Sequence, residues 1–191
     1  MKHSSTRALY AYWNELRGSR AAPDRGEIEP GAIRGALGDS FILSFDPAGH
    51  CFRLAGTRIC ALFGRELRGE AFDTLWSEAD RPAARDLLEI AANEIAGIVA
   101  GVAGVTAEGV SVDLELLMLP LRHRGNSRAR QIGVLVPLTV PFWLGATPLT
   151  SLGLKSHRHI GPALENVPTF VAASDSARVR HGLLVYDGGR A

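Results

Sequence analysis

The sequence predicts an α+β fold, with a five-stranded antiparallel sheet, helices between its second and third strands, and an amphipathic helix before the sheet. Two runs of alternating apolar residues within 41–54 and three within 98–138 give the strands, because a period of two places alternate side chains on one face. No strand-helix-strand unit repeats, which disfavours a parallel sheet. We expect an N-terminal helical extension at 1–38, a core domain at 39–142 and a partly irregular C-terminal extension at 143–191.

The first predicted element is a helix within residues 5–18. Its apolar residues recur at helical spacing and form one face: Leu9, Tyr12, Trp13 and Leu16. This face is buried equally well by the outer side of the sheet or by a second copy of the chain, so the sequence leaves both open. We name these four residues as a candidate partner or dimer interface. After a connector at 21–29, a short helix is predicted from Pro30 to about Leu37.

A hairpin and three helical pieces follow. Phe41, Leu43 and Phe45 are expected on one face of the first strand, with a turn at 46–49 before the second strand. Gly64 is expected to end a short helix, and a longer helix is expected to start near Asp80 and Pro82. The buried stripe of that longer helix is predicted at Ala84, Leu87, Leu88, Ala91 and Ile95.

The last three predicted strands are joined by short turns. In the middle one the apolar residues share a face and the polar residues share the other, which indicates a sheet buried on one side only. The apolar set is Val110, Val112, Leu114, Leu116 and Met118, and the polar set is Ser111, Asp113 and Glu115. Ile132, Val134 and Val136 alternate in the final strand. Beyond residue 145 we expect a connector, with 183–186 adding a short ordered element.

This order of elements resembles the PAS fold, and several strings are similar to those of small stand-alone bacterial PAS-domain proteins, in which a helix precedes the fold and no output domain is attached. The strings are Trp13-Asn14-Glu15-Leu16-Arg17-Gly18, Ile28-Glu29-Pro30, Phe52-Arg53-Leu54-Ala55-Gly56-Thr57, Leu62-Phe63-Gly64 and Leu75-Trp76. The likeness covers most of residues 8–140. It implies a sensory or adaptor module, commonly dimeric, with a pocket between sheet and helices that is either filled or empty.

The predicted pocket is an apolar space with two polar side chains at its edge. Its residues are Phe41, Leu43, Phe52, Leu54, Ile59, Phe63, Trp76, Leu87, Val112, Leu114 and Val134, with Arg53 and Thr57 as the polar contacts. Such a lining is typical of a small-molecule site, but a packed core has the same composition. A ligand pocket and a filled core therefore remain alternatives.

The sequence disfavours a haem or flavin cofactor. Haem iron in proteins is commonly held by histidine, and the histidines here fall in predicted termini, turns or tail: His3, His50, His123, His157, His159 and His181. The Asn-Cys-Arg-Phe type string of flavin-binding PAS photoreceptors is missing. Cys60 lies next to the predicted pocket, where we expect it to be an apolar filler. We therefore predict no cofactor and no metal site.

Catalysis is also disfavoured. The chain contains neither a Gly-x-Ser-x-Gly string nor a phosphate-binding loop. Asp113 and Glu115 share a strand face and would allow acid and base chemistry only if that face lined an apolar cavity with a raised carboxyl pKa. We expect both to be solvated.

The composition of the chain limits the classes of partner that it is expected to bind. The formal net charge of +1 gives no field that would hold nucleic acid, and no apolar run reaches the length of a membrane span. Two cysteines are too few for a disulfide framework, which favours a reducing cytoplasm. The sequence thus predicts a signal-transduction module without catalysis that binds a small apolar ligand, a signalling partner protein or a second copy of itself. The alternatives are a ligand-free structural adaptor and an enzyme that uses Asp113 or Glu115.

Overall fold

A computed structural model describes residues 1–46, 49–93, 97–123, 126–160, 177–180 and 183–186. The strands of the main sheet are β1 (Ser40–Asp46), β2 (Gly49–Ala55), β3 (Gly97–Thr106), β4 (Ser111–His123), β5 (Asn126–Pro137) and β6 (Leu149–Ile160). They lie in the order β2-β1-β5-β4-β3-β6, and each pairs antiparallel with its neighbours. The antiparallel α+β fold and the five expected strands are therefore confirmed.

The sixth strand corrects the prediction of a connector beyond residue 145. β6 pairs with β3 along its whole length, from Leu149 opposite Thr106 to Ile160 opposite Gly97. Half of its side chains are exposed, Leu149 and Leu152 are buried in the inner core, and two register shifts interrupt the pairing. An exposed edge strand needs no apolar alternation, so the sequence gives no strand signal there. The predicted element at 183–186 is a short strand, β8 (Leu183–Tyr186), which pairs with β7 (Ala177–Arg180).

The helices are α1 (Ser4–Arg17), α2 (Thr57–Phe63) and α3 (Arg81–Asn93). Gly64 ends α2 with a φ of 63°, a left-handed conformation that glycine adopts without a steric penalty. The helix expected from Pro30 is only a 3₁₀ turn at Pro30–Ile33, and further 3₁₀ turns lie at Arg25–Glu27, Leu37–Asp39 and Phe72–Leu75. No helix in the described part of the chain is both long enough and apolar enough to span a membrane. The predicted turn residues 47 and 48, Ile95, and residues 124 and 125 of the β4–β5 turn lie outside the described residues.

The inner face of the sheet packs against α2 and α3. Val112, Leu114, Leu116 and Met118 lie on this face, as their alternation predicts. The α3 stripe joins them through Ala84, Leu87, Leu88 and Ala91. This is the main apolar core of the described residues.

The outer face is buried too, which corrects the expectation of a sheet buried on one side only. Leu9 and Trp13 of α1 are fully buried against Leu117, Leu119 and Leu121 of β4. The indole N–H of Trp13 donates a hydrogen bond of 2.8 Å to the carbonyl oxygen of Pro120. The apolar stripe of α1 is thus used largely inside the chain, and Tyr12 and Leu16 remain partly exposed.

Val134 and Phe45, which were expected on the same face as Phe41, are not part of the inner core. Val134 belongs to the outer cluster, because Leu135 of β5 points into the inner core. Gly133 has no side chain on the inner face, and the ring of Phe41 occupies that space: a Cβ at Gly133 would lie 2.2 Å from Cζ of Phe41. Phe45, expected beside Phe41, is 57% exposed near the end of β1.

Candidate functional site

The predicted pocket residues divide between two sides of the sheet. Most of them pack together in the inner core: Phe41, Leu43, Phe52, Ile59, Phe63, Trp76, Leu87, Val112 and Leu114. Val134 lies in the outer cluster, and Leu54 and Thr57 line a groove on the outer side. Arg53 is exposed and donates a hydrogen bond of 2.7 Å from Nε to the hydroxyl of Ser44. The structure therefore does not bring the two predicted polar contacts into the inner core.

Four aromatic rings occupy the space between β1, β2 and the turn that precedes α3. The centroid of the Phe72 ring lies 5.9 Å from Phe41, 5.8 Å from Phe52 and 5.9 Å from Trp76. These are ordinary contact distances for packed aromatic side chains. Protein side chains thus fill the part of the core where we expected an apolar ligand.

Two inward-facing polar groups were not identified from the sequence. The side-chain amide of Gln131 is 1% exposed and donates a hydrogen bond of 2.8 Å to the carbonyl oxygen of Leu88 in α3. Its Oε1 atom and the indole Nε1 of Trp76 are buried without a hydrogen-bond partner among the described residues. The prediction that Val134 points inward placed Gln131 on the opposite face; because Val134 lies in the outer cluster, Gln131 points inward. Leaving a buried polar atom unpaired costs about 1–3 kcal/mol.

Asp113 and Glu115 lie on the outer face of β4, outside the inner core. Asp113 is exposed and forms an ion pair of 2.5 Å with Lys155 of β6. Glu115 is buried, which corrects the expectation that it is solvated. Its carboxylate accepts hydrogen bonds from the backbone N–H groups of Lys2, at 2.6 Å, and His3, at 3.0 Å.

The environment of Glu115 has a clear effect on its charge. Burial raises the pKa of Glu115. The hydrogen bonds from the backbone N–H groups of His3 and Lys2, together with Thr6 and the N-terminal charge, lower the pKa by a larger amount, so it lies below the ordinary value. A general base in an apolar cavity would need a raised pKa. Glu115 instead acts as a structural anchor that holds the chain just before α1 on the sheet.

A second polar contact joins α1 to α2. Asp39 is buried, and its carboxylate accepts hydrogen bonds from the hydroxyl of Ser5, at 2.7 Å, and from Nε of Arg58, at 2.5 Å. Arg58 also donates to the carbonyl oxygen of Gly35 at 2.9 Å. Sequence analysis missed this network because the three charged or polar residues are far apart along the chain. It ties α1 and the turn at 35–39 to α2.

The described cysteines and histidines do not come together as a metal-binding cluster. Burial raises the pKa of the Cys60 thiol, which keeps the thiol protonated and weakly nucleophilic. His157 and His159 lie on exposed β6. Among the described residues, no group of three or more potential metal ligands comes together.

Two apolar grooves remain as candidate sites. The outer groove has a volume of about 350 Å³ and lies between residues 25–38 and the outer face of β1, β2 and β5. The α2 groove, of about 220 Å³, lies between α2 and the segment that joins β5 to β6. Val140 lines it and is 77% exposed, and the nearby Phe142 is 99% exposed.

The sequence model of the PAS domain family matches residues 1–136. No curated protein sequence matches the chain.

Three solved structures illustrate the structural likeness. The PAS domain of a Colwellia psychrerythraea protein is 13% identical, with a TM-score of 0.45, over 57% of this chain and 97% of that one. A Rhodobacter sphaeroides LOV protein is 14% identical, with a TM-score of 0.42, over 54% and 60%. The PAS domain of a Burkholderia thailandensis transcriptional regulator of the LuxR family, in complex with ethanol, is 16% identical, with a TM-score of 0.40, over 56% and 97%. At these values none of them bears on function.

Proposed function

The chain belongs to the PAS domain family, and from this premise we propose that it is a sensory or regulatory module that acts in signal transduction by binding, without catalysing a reaction. We place it in the reducing cytoplasm, where the free thiols of Cys51 and Cys60 are stable. Its partner is a signalling protein, a second copy of the chain, or both.

The observation that carries this proposal is the exposed apolar pair Val140 and Phe142 beside the α2 groove. Large apolar side chains are normally withdrawn from water, and burying one fully contributes about 1.5–3 kcal/mol. The groove next to them presents Leu62, Leu135 and Leu144. An exposed aromatic side chain beside an apolar groove is a typical protein-binding feature.

The positions of the acidic residues support a role without catalysis. Asp113 forms an ion pair with Lys155, and the carboxylate of Glu115 accepts hydrogen bonds from the backbone N–H groups of Lys2 and His3. The aromatic core and the missing flavin-binding string likewise favour a domain without haem or flavin. Absence of a cofactor stays a prediction.

Homodimerisation tests the binding surface most directly. We propose that two copies meet through the Val140 and Phe142 surface, since α1 uses Leu9 and Trp13 within its own chain. The experiment is sedimentation equilibrium of the wild type, of the double variant Val140→Ser/Phe142→Ser, and of Val110→Ser. Val110 is the matched control because it is also exposed, at 46%, but lies in the β3–β4 turn.

We expect the double variant to weaken the dimer at least about tenfold, because two apolar side chains lose their burial. Val110→Ser should leave the dimer unchanged. A wild type that stays monomeric at high micromolar concentration, or two variants that behave alike, would contradict this dimer.

A ligand in the inner core stays a second proposal, at the core residues named above. The packed aromatic rings favour the alternative of a ligand-free adaptor, while the unpaired Trp76 and Gln131 atoms favour a bound polar group or water. A native mass spectrum of protein purified without added ligand separates the two. Extra mass supports a ligand, and the mass of the chain alone supports the adaptor.

A further inference from the structure

The outer groove combines an apolar lining with one charged residue at its edge. Its floor is made by Ile42 and Ile132 of the sheet, and Ile28, Ile33 and Leu37 form the opposite wall. Leu54 lines the groove and is 45% exposed, so apolar surface there is open to solvent. The volume of about 350 Å³ is at the lower end of small-molecule sites, which span roughly 300–1,000 Å³.

Arg25 is the charged residue of this lining. It is half-buried, and in the described part of the chain its guanidinium forms no ion pair with a carboxylate. Of the neighbouring acids, Asp24 accepts the N–H of Gly26 at 3.0 Å, Glu27 forms an ion pair of 2.9 Å with Arg20, and Glu29 is exposed. An arginine that faces an apolar groove without an acidic partner can form two parallel hydrogen bonds to a carboxylate from outside the chain.

We infer that the outer groove binds a small aliphatic carboxylate, with the alkyl chain between residues 28–37 and the sheet and the carboxylate on Arg25. One guanidinium balances the single negative charge of a carboxylate, whereas a phosphate monoester carries about −1.5 to −2 at neutral pH and needs more cations. The inferred site is separate from the inner core and from the α2 groove. As the input of a signalling domain, it rests on the regulatory function proposed above.

Such a ligand would connect two parts of the fold. Residues 25–38 belong to the N-terminal extension, while Leu54 and Thr57 belong to β2 and the start of α2. A molecule held between them stabilises the packing of residues 25–38 against β2 and α2, and the stabilisation increases with the concentration and affinity of the ligand. The ligand therefore strengthens the attachment of the extension to the core domain.

Octanoate and octanol are the matched probes for the test, because they share an alkyl chain and differ in charge. Titration calorimetry gives the affinities of the full chain, and amide NMR shifts locate the site. We expect saturable octanoate binding that moves the signals of Leu54 and Thr57 while Leu87 in the inner core stays in place. Octanol should bind at least about tenfold more weakly, since it lacks the charged hydrogen bonds to Arg25.

Variants at Arg25 complete the test. Arg25→Gln should weaken octanoate about tenfold or more and leave octanol unchanged, and Arg25→Lys should restore part of the affinity. Arg34→Gln is the control, because Arg34 is exposed in the same segment and does not line the groove. Circular dichroism verifies that each variant is folded.

The inference is overturned if octanoate shows no saturable binding, if it binds no better than octanol, or if Arg25→Gln and Arg34→Gln behave alike. Shifts confined to the inner core would overturn it as well. None of these results affects the dimer test at Val140 and Phe142, and loss of that dimer leaves the titration interpretable.

Discussion

Replacing Trp13 tests whether α1 is an integral layer of the fold. The side chain is fully buried against the outer face of the sheet and donates a hydrogen bond to the carbonyl oxygen of Pro120. Trp13→Ala removes the whole ring, and truncating a large buried aromatic residue costs about 3–5 kcal/mol. Trp13→Phe keeps most of the apolar contact but loses the hydrogen bond and some volume, for which we expect about 1–3 kcal/mol.

Urea unfolding followed by circular dichroism measures both free energies. Glu15→Ala is the control, since Glu15 is exposed on the same helix and should change stability by no more than about 0.5 kcal/mol. If α1 packs as described, the wild type unfolds in one cooperative transition that includes the helix. A loss below about 1 kcal/mol in Trp13→Ala, or a separate early transition for α1, would refute the packing.

Three further substitutions probe the polar contacts and the tight packing. Glu115→Gln should destabilise the fold by about 1.5–3 kcal/mol at neutral pH. Because the pKa of Glu115 is lowered in the folded state, the carboxylate stabilises the fold above its unfolded pKa of about 4.3, and this stabilisation is lost as the pH falls toward the folded pKa. The melting temperatures of variant and wild type should therefore converge in acid. Asp39→Asn should cost about 2 kcal/mol in urea unfolding, because Ser5 and Arg58 lose a charged acceptor, and an unchanged midpoint would exclude this network. Gly133→Ala should cost about 1–3 kcal/mol or more, because the added Cβ would overlap both the ring of Phe41 and the backbone carbonyl oxygen of Leu117, 2.3 Å away; wild-type stability in urea unfolding would contradict this close packing of β5 on β4.

The sequence predicted the inner half of the fold well because period-two alternation is strong there. Val112, Leu114, Leu116 and Met118 point inward as expected. It predicted the outer half poorly, although a signal was present: from Leu116 to Leu121 both alternating positions are apolar, which is typical of a strand buried on both faces.

The site was less predictable than the fold. Alternation does not reveal where the pairing of two strands shifts register. The pairing of β1 with β2 shifts between Ile42 and Leu43, and Leu54, which was expected in the inner pocket, points outward. Arg25 lies in a connector without helical or strand periodicity, between the two residues of a capping box, Asp24 and Glu27. Its environment depends on contacts between segments far apart in sequence, which only the folded chain brings together.

The two edges of the sheet differ in how open they are to further strands. At β2 the edge is closed, because the N–H and carbonyl groups of Phe52 already bond to Glu70 and Gly69. At β6 the carbonyl oxygen of Leu152 accepts a hydrogen bond from the N–H of Ser77, and the exposed run from Lys155 to Arg158 carries two cationic side chains. Lys155 is paired with Asp113, so Arg158 is the cation that opposes pairing of this strand with another copy, and Arg158→Ser should make the protein more prone to fibrous aggregation.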